Sequence, residues 1–298
     1  MWTDITDPAR EDLTKFAADH HFESLDIEDA LTTRQLTKVE VHGDHMFVCL
    51  LIPAQDSQGI IISRHFSMFI GKDFLVTLHP SNLDAISRMF RLCQTDQQTR
   101  ERLMESTAFL AYQTIDGILN ETFVILDNVQ ANLDRIEALV FNEKKSISKM
   151  INAVRRQIAV LRRMVYPLQL YLPDLVQAQK FSKDDLSIYF SDVRHKIGKI
   201  ARMLDAMKEM VEIYNDTDYD TTSNRTNRVL AILTIIFTLT LPATVLSGLY
   251  GMNVPLPGGL TPGPAEFLGT FTSLMLIVAV MVISAVLMTV YFKRAGWF

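Results

Sequence analysis

The segment Tyr250-Gly251-Met252-Asn253 has residue types that could recognise a cation, and it follows directly on a long uncharged stretch. Glycine permits a sharp turn, and the asparagine side chain offers a carbonyl oxygen and an amide. Repeated around the axis of an oligomer, Asn253 and nearby backbone carbonyls would form a neutral ring of oxygen atoms. Such a ring would hold a divalent cation through its waters, which suits Mg²⁺ because it dehydrates reluctantly.

Other residues with ligand chemistry carry weaker signals. His42 and His45 flank Gly43-Asp44 in a predicted hairpin turn, and we favour turn chemistry over a metal site as the explanation for this segment. Cys49 and Cys93 have no metal-site or disulfide spacing, which fits a reducing cytosol. The sequence has no phosphate-binding loop, no G-x-S-x-G motif and no spaced Cys/His zinc site, so nothing in it supports an enzyme.

The elements that would position the motif are two apolar segments near the end of the chain. Between Val229 and Phe292 the only ionised residue is Glu266. Residues 229–250 and 267–292 are each long enough to span a bilayer, which needs about 20 apolar residues. Basic residues flank both spans but are missing from the connecting loop, so the positive-inside rule places both termini in the cytoplasm.

The rest of the chain predicts a water-soluble part. The net charge of −5 argues against nucleic acid as a partner, and residues 1–21 lack the apolar core of a signal peptide. The predicted domains are a cytoplasmic α/β/α domain at 1–182, a stalk helix at 183–228, spans at 229–250 and 267–292, a periplasmic loop at 251–266 and a basic cytoplasmic tail at 293–298.

The predicted fold class is α+β, with a small, mainly antiparallel sheet and surrounding helices. Residues 1–33 are predicted to form short acidic helices, and two hairpins follow, with turns at Gly43-Asp44 and at 71–73. Long helices are expected over 98–143 and 146–172. The stalk carries apolar residues at helical spacing, which we expect to be buried against other chains. It is either continuous with the first span or hinged at 215–222.

The first span is rich in hydroxyl side chains, whereas the second is more uniformly apolar. The first is therefore the better candidate for lining a wet axis. Alternatively, its hydroxyls bond only to their own helix backbone. Two helices cannot enclose a pore, so transport would require several copies of the chain.

Residues 227–253 closely resemble the first spanning helix and GMN signature of the CorA family of magnesium transporters, which also includes the zinc transporter ZntB. The matching residues are Asn227, Leu233, Thr234, Pro242, Thr244, Gly248 and Tyr250-Gly251-Met252-Asn253. Residues 189–193 resemble part of the family's stalk helix. The resemblance implies a funnel-shaped homopentamer in the inner membrane, with the first span around the pore and the second outside it.

On this resemblance, Tyr250, Gly251, Met252 and Asn253 would select the ion. The pore and its apolar gate would be lined by Asn227, Leu230, Leu233, Thr234, Phe237, Leu241, Thr244 and Gly248. Phe237 stands where a small residue is expected, so it either turns aside or narrows the pore. Asp192 aligns with a stalk aspartate that binds regulatory divalent cations in family members; alternatively, it is a solvated charge.

The outer loop is similar to the zinc-transporting branch, because it is rich in Pro and Gly and has Glu266 as its only carboxylate. We therefore expect a divalent cation, Mg²⁺ or Zn²⁺ and also Co²⁺ or Ni²⁺, as substrate and as a candidate regulator. Two alternatives stay open. One is a proton-coupled zinc transporter that uses Glu266, and the other is a non-conducting, membrane-anchored regulatory or scaffold protein with the same fold.

Overall fold

The structure is a computed structural model that describes residues 1–9, 13, 20, 22–32, 37–56, 59–81, 83–140, 147–252 and 272–296. These residues form two compact units, Met1–Asp218 and Tyr219–Phe298.

The first unit contains a five-stranded sheet with the strand order β1-β5-β4-β3-β2. The strands are β1 (Trp2–Thr6), β2 (Lys38–Val41), β3 (His45–Gln55), β4 (Ile61–Gly71) and β5 (Leu75–His79). Both predicted hairpins are confirmed, with Val41 paired to Met46 across the first turn and Ile70 paired to Leu75 across the second. The fold is thus a mixed sheet with helices, and three of its four strand pairs are antiparallel.

Strand β1 corrects the prediction of short helices over residues 1–33. It pairs parallel to β5, with Trp2 opposite Leu75 and Thr6 opposite His79. Its partner lies more than 70 residues away along the chain, so the local pattern gave no sign of it. Within the same range, helix α1 (Ser24–Leu31) agrees with the prediction.

Alternate residues of strand β3 enter two separate hydrophobic clusters. Met46, Val48 and Leu50 belong to a large cluster shared with the helices, whereas Phe47 and Cys49 belong to a smaller cluster with Leu13 and Phe22. Successive side chains of a strand point to opposite faces, so this division shows that the sheet is covered on both sides.

The helices after the sheet differ from the predictions mainly at their ends. They are α2 (Asp84–Thr95), α3 (Gln97–Leu103), α4 (Thr107–Val140) and α5 (Ser148–Val176), followed by a 3₁₀ turn at Gln177–Phe181. The helix predicted over 98–143 is therefore interrupted at 104–106. Helix α5 continues through Pro167 and Pro173.

Helix α6 (Ser187–Tyr250) contains both the predicted stalk residues and the first apolar segment, and residues 215–222 are helical. The expectation that the stalk stripe needs other chains for its burial is wrong. The stripe is already buried in the first unit, in the same cluster as residues of α4 and α5; its members are Leu186, Phe190, Val193, Ile197, Ile200, Leu204, Met207, Val211 and Tyr214.

The second unit contains the last part of α6 and helix α7 (Thr272–Arg294). Both helices are long and apolar enough to cross a membrane. In each, the less exposed residues recur at helical spacing, with Ile235 and Phe292 the most buried. Each helix therefore has one covered face and several exposed apolar ones.

Candidate functional site

The described part of the motif lies at the end of helix α6. Tyr250 is the last helical residue, the Gly251 amide donates to the Ser247 carbonyl at 2.9 Å, and the Met252 amide donates to the Leu249 carbonyl at 3.3 Å. A Cβ atom at Gly251 would lie 2.9 Å from the Ser247 carbonyl oxygen, closer than side-chain carbons come to backbone. The helix can therefore end in this way only with glycine at 251. Asn253 and Glu266 lie outside the described residues.

The residues predicted to line a pore form one continuous exposed stripe on α6. They recur at alternating steps of three and four residues, and Leu233 adjoins them; the members are Asn227, Leu230, Thr234, Phe237, Leu241, Thr244 and Gly248. The stripe is turned away from the covered face that contains Ile235. Phe237 is 70% exposed and belongs to the stripe, so within the chain it does not turn aside into the covered face.

The hydroxyl groups of the first span donate to their own helix backbone, as one of the two alternatives expected. Thr234 donates to the Leu230 carbonyl at 2.8 Å, and Thr244 donates to the Thr240 carbonyl at 2.9 Å. A hydroxyl that donates its hydrogen inward still has oxygen lone pairs that can accept. On the exposed stripe, Thr234 and Thr244 can therefore offer oxygen atoms to the water shell of a cation.

Asp192 lies on α6 in the first unit, where it has a cationic partner within its own chain. The Nζ atom of Lys196 lies 3.1 Å from Asp192 Oδ2, and it also donates to Asp116 on α4. Burial acts to lower the pKa of Lys196, but its hydrogen bonds to the two carboxylates raise it overall. The ammonium of Lys196 thus neutralises the carboxylates of Asp116 and Asp192, as a metal ion bound between them would do. Sequence analysis missed this partner.

A third group of ligand-type residues lies in the first unit, where sequence analysis had favoured turn chemistry. The buried carboxylate of Asp26 accepts a hydrogen bond at 2.8 Å from, or donates one to, Nε2 of His42, and His45 is next to His42. Burial, together with the nearby Glu40 carboxylate, raises the pKa of Asp26 to about 6. Sequence analysis missed Asp26, and its place in an acidic helix gave no signal that could have found it.

The family model described as "CorA-like Mg2+ transporter protein" matches residues 1–294. The chain belongs to the CorA family. The cobalt/magnesium transport protein CorA of Thermotoga maritima is 25% identical over 304 residues, which cover 99% of this chain and 83% of that protein. The zinc transport protein ZntB of Pectobacterium atrosepticum is 24% identical over 71% of this chain and 71% of that protein.

The fold is that of a solved CorA. The complete structure of the CorA magnesium transporter from Methanocaldococcus jannaschii has a TM-score of 0.79 at 20% sequence identity, over 100% of this chain and 91% of that one. Membership of the CorA family supports a general role in metal-ion transport, and the two apolar helices are consistent with a membrane protein.

Proposed function

We propose that this CorA-family chain conducts divalent cations across the inner membrane through the axis of a homopentamer. The observation that carries the proposal is the exposed stripe of α6, which leads from Asn227 to the turn at Gly251 and Met252. Nothing among the described residues of one chain covers this stripe. Packing of five copies around an axis would cover it and would bring Asn227, Thr234 and Thr244 to face a shared water-filled path.

The spacing of the stripe supports such packing. Steps of three and four residues average 3.5 per turn, the repeat that lets helices wind around one another in a left-handed supercoil. Along the proposed axis, Leu230, Leu233 and Leu241 would form apolar constrictions that can close by dewetting. Phe237 would form the narrowest of these rings, because it lies on the same exposed side.

The proposed entrance is a ring of Gly251 and Asn253 at the outer end, with Tyr250 and Met252 beside it. Neutral oxygen atoms there would bind the ion through its water shell, as suits Mg²⁺. Both termini are proposed to be cytoplasmic, since the basic residues lie beside the inner ends of the two spans. We also propose Asp192 as a regulatory site, at which a divalent cation would have to displace Lys196.

Ion flux into liposomes that contain the purified protein tests the proposal. Mg²⁺, Zn²⁺, Co²⁺ and Ni²⁺ are compared, each with and without a pH gradient. We expect flux driven by voltage, because moving two charges through 100 mV is worth about 4.6 kcal/mol, and we expect Asn253→Ala to abolish it. Zinc flux that requires the proton gradient would instead favour a proton-coupled zinc transporter and make Glu266 the next residue to change.

Absence of flux for all four ions, with the oligomer intact, would contradict the proposal. It would favour the non-conducting regulatory protein.

A further inference from the structure

One carboxylate and two imidazoles meet where helix α1 approaches the turn of the β2–β3 hairpin. Asp26 on α1 is completely buried, His42 follows β2, and His45 begins β3. Asp26 Oδ2 lies 2.8 Å from His42 Nε2, and the two imidazole centroids are 4.6 Å apart. One ligand atom from each residue lies within 4.8 Å of the others.

Two buried polar atoms of this cluster have no hydrogen-bond partner among the residues that the structure describes. They are Nε2 of His45, a residue only 2% exposed, and Oδ1 of Asp26. Lys38 Nζ is 3.9 Å from Asp26 Oδ1 but makes its short contacts to Asp29, at 2.7 Å, and to Glu40, at 2.8 Å. Buried polar atoms are normally paired, so two unpaired acceptors in one place indicate a ligand that takes lone pairs.

The hydrogen bond at Nδ1 of His45 leaves Nε2 as the nitrogen that can bind a metal. His45 Nδ1 lies 2.7 Å from Oδ1 of Asp44, an exposed carboxylate. Because a carboxylate accepts, the Nδ1 hydrogen is held there, and the lone pair of the neutral ring is left at Nε2, inside the cluster. A carboxylate behind the imidazole is the usual support for a metal-binding histidine.

The donor set selects a class of metal. Two imidazole nitrogens and one carboxylate suit Zn²⁺, Co²⁺ or Ni²⁺, whereas Mg²⁺ prefers oxygen alone. Bonds of about 2.0–2.2 Å in a tetrahedral site place ligand atoms about 3.3 Å apart. Here Asp26 Oδ2 and His42 Nε2 are 2.8 Å apart, and one ligand atom of each of the three residues lies within 4.8 Å of the others, so small side-chain movements would reach that value. Glu40 Oε2, at 3.9 Å from His42 Nε2, or a water molecule can supply the fourth ligand. His42 is partly exposed, which gives an entry path.

We propose that Asp26, His42 and His45 form a binding site for a borderline divalent cation, Zn²⁺, Co²⁺ or Ni²⁺, in the Met1–Asp218 unit. The site is chemically distinct from the oxygen-based motif at 250–253, so it would respond to different ions. It joins α1 to the hairpin turn, and Lys180 Nζ donates to the His42 carbonyl at 2.9 Å, which connects the turn to the residues after α5. The proposal concerns metal binding alone and does not rest on the proposed transport function.

Cobalt titration of the full chain in detergent tests the proposal, with excess Mg²⁺ present to occupy oxygen sites. We expect one Co²⁺ per chain, with the visible absorption of a four-coordinate site, and displacement by Zn²⁺. His42→Gln and Asp26→Asn should abolish this binding. His79→Gln is the matched control, because His79 is also buried beside a carboxylate, Asp4, but has both ring nitrogens in hydrogen bonds.

Asp44→Asn provides a variant that leaves the buried residues intact. It should weaken Co²⁺ binding by about 10–100-fold, the usual effect of losing the group behind a ligating histidine. Thermal unfolding without metal would verify that each variant folds. The proposal would be overturned if the unmodified chain did not bind Co²⁺. It would also be overturned if the folded His42→Gln and Asp44→Asn variants bound Co²⁺ as tightly as the unmodified chain. Asn253→Ala should retain the Co²⁺ signal even where flux is lost, which separates this site from the proposed pore.

Discussion

Gly251 is the residue at which helix α6 can no longer accommodate a side chain. We expect Gly251→Ala to distort the end of helix α6, next to Asn253 in the sequence, and so to reduce flux strongly, because the added Cβ would lie 2.9 Å from the Ser247 carbonyl oxygen. Gly117→Ala, on helix α4 and outside the stripe, is the control, since nothing lies within 4 Å of a Cβ atom at that position. Flux into liposomes measures both, and equal flux for the two variants would show that the close approach at 251 is without importance.

Lys196 determines how Asp192 behaves. Lys196→Gln removes the ammonium that neutralises Asp116 and Asp192, so two carboxylates are left to attract a cation. If Asp192 is a regulatory site, Mg²⁺ should then protect the folded protein from proteolysis at a lower concentration. Lys208→Gln is the control, because it breaks only an exposed pair with Glu212, of a kind worth little. An unchanged Mg²⁺ requirement in Lys196→Gln would favour a solvated stalk charge at Asp192.

Threonine hydroxyls on the two apolar helices make the same kind of hydrogen bond, to a carbonyl of their own helix. We propose that α6 faces the ion path and that α7 lies outside it. Thr244 donates to the Thr240 carbonyl at 2.9 Å, and Thr289 on α7 donates to the Ala285 carbonyl at 2.8 Å. Both are exposed in the chain. We expect Thr244→Val to reduce flux several-fold, because it removes an oxygen from the proposed path, while Thr289→Val leaves flux unchanged. Equal losses would mean that α6 has no special relation to the ion path.

Elements with local partners could be predicted from the sequence, whereas those with distant partners could not. Gly43-Asp44 predicted the first hairpin because a turn and its strands are local. Strand β1 and the burial of the stalk stripe were missed because their partners, β5 and helices α4 and α5, are distant in sequence. The Asp26–His42–His45 cluster joins a helix to a turn, and Asp26 and His42 are 16 positions apart in the sequence. Residue spacing alone could propose the two histidines but not the carboxylate that meets them.

In the proposed pentamer, α6 helices of neighbouring copies lie side by side around the axis. Leu241→Cys should form disulfide-linked dimers on oxidation, because residue 241 would face the same residue of other copies. Met275→Cys, which is also exposed but lies on α7, should not. The native Cys49 and Cys93 are buried, and burial raises the pKa of both thiols, which keeps them unreactive. Cross-linking at 275 but not at 241 would place the wrong helix at the axis.

Burial of the stalk stripe within Met1–Asp218 has a consequence for biosynthesis. The sheet and helices α1 to α5 all precede residue 187, and the stalk half of α6 is the last segment that their shared core needs. Domains generally fold as units, the N-terminal ones first, while the ribosome is still translating. The stalk would therefore complete the core of the Met1–Asp218 unit just before the first apolar segment leaves the ribosome. That apolar segment would then insert into the membrane without competing for a place in the core of the first unit.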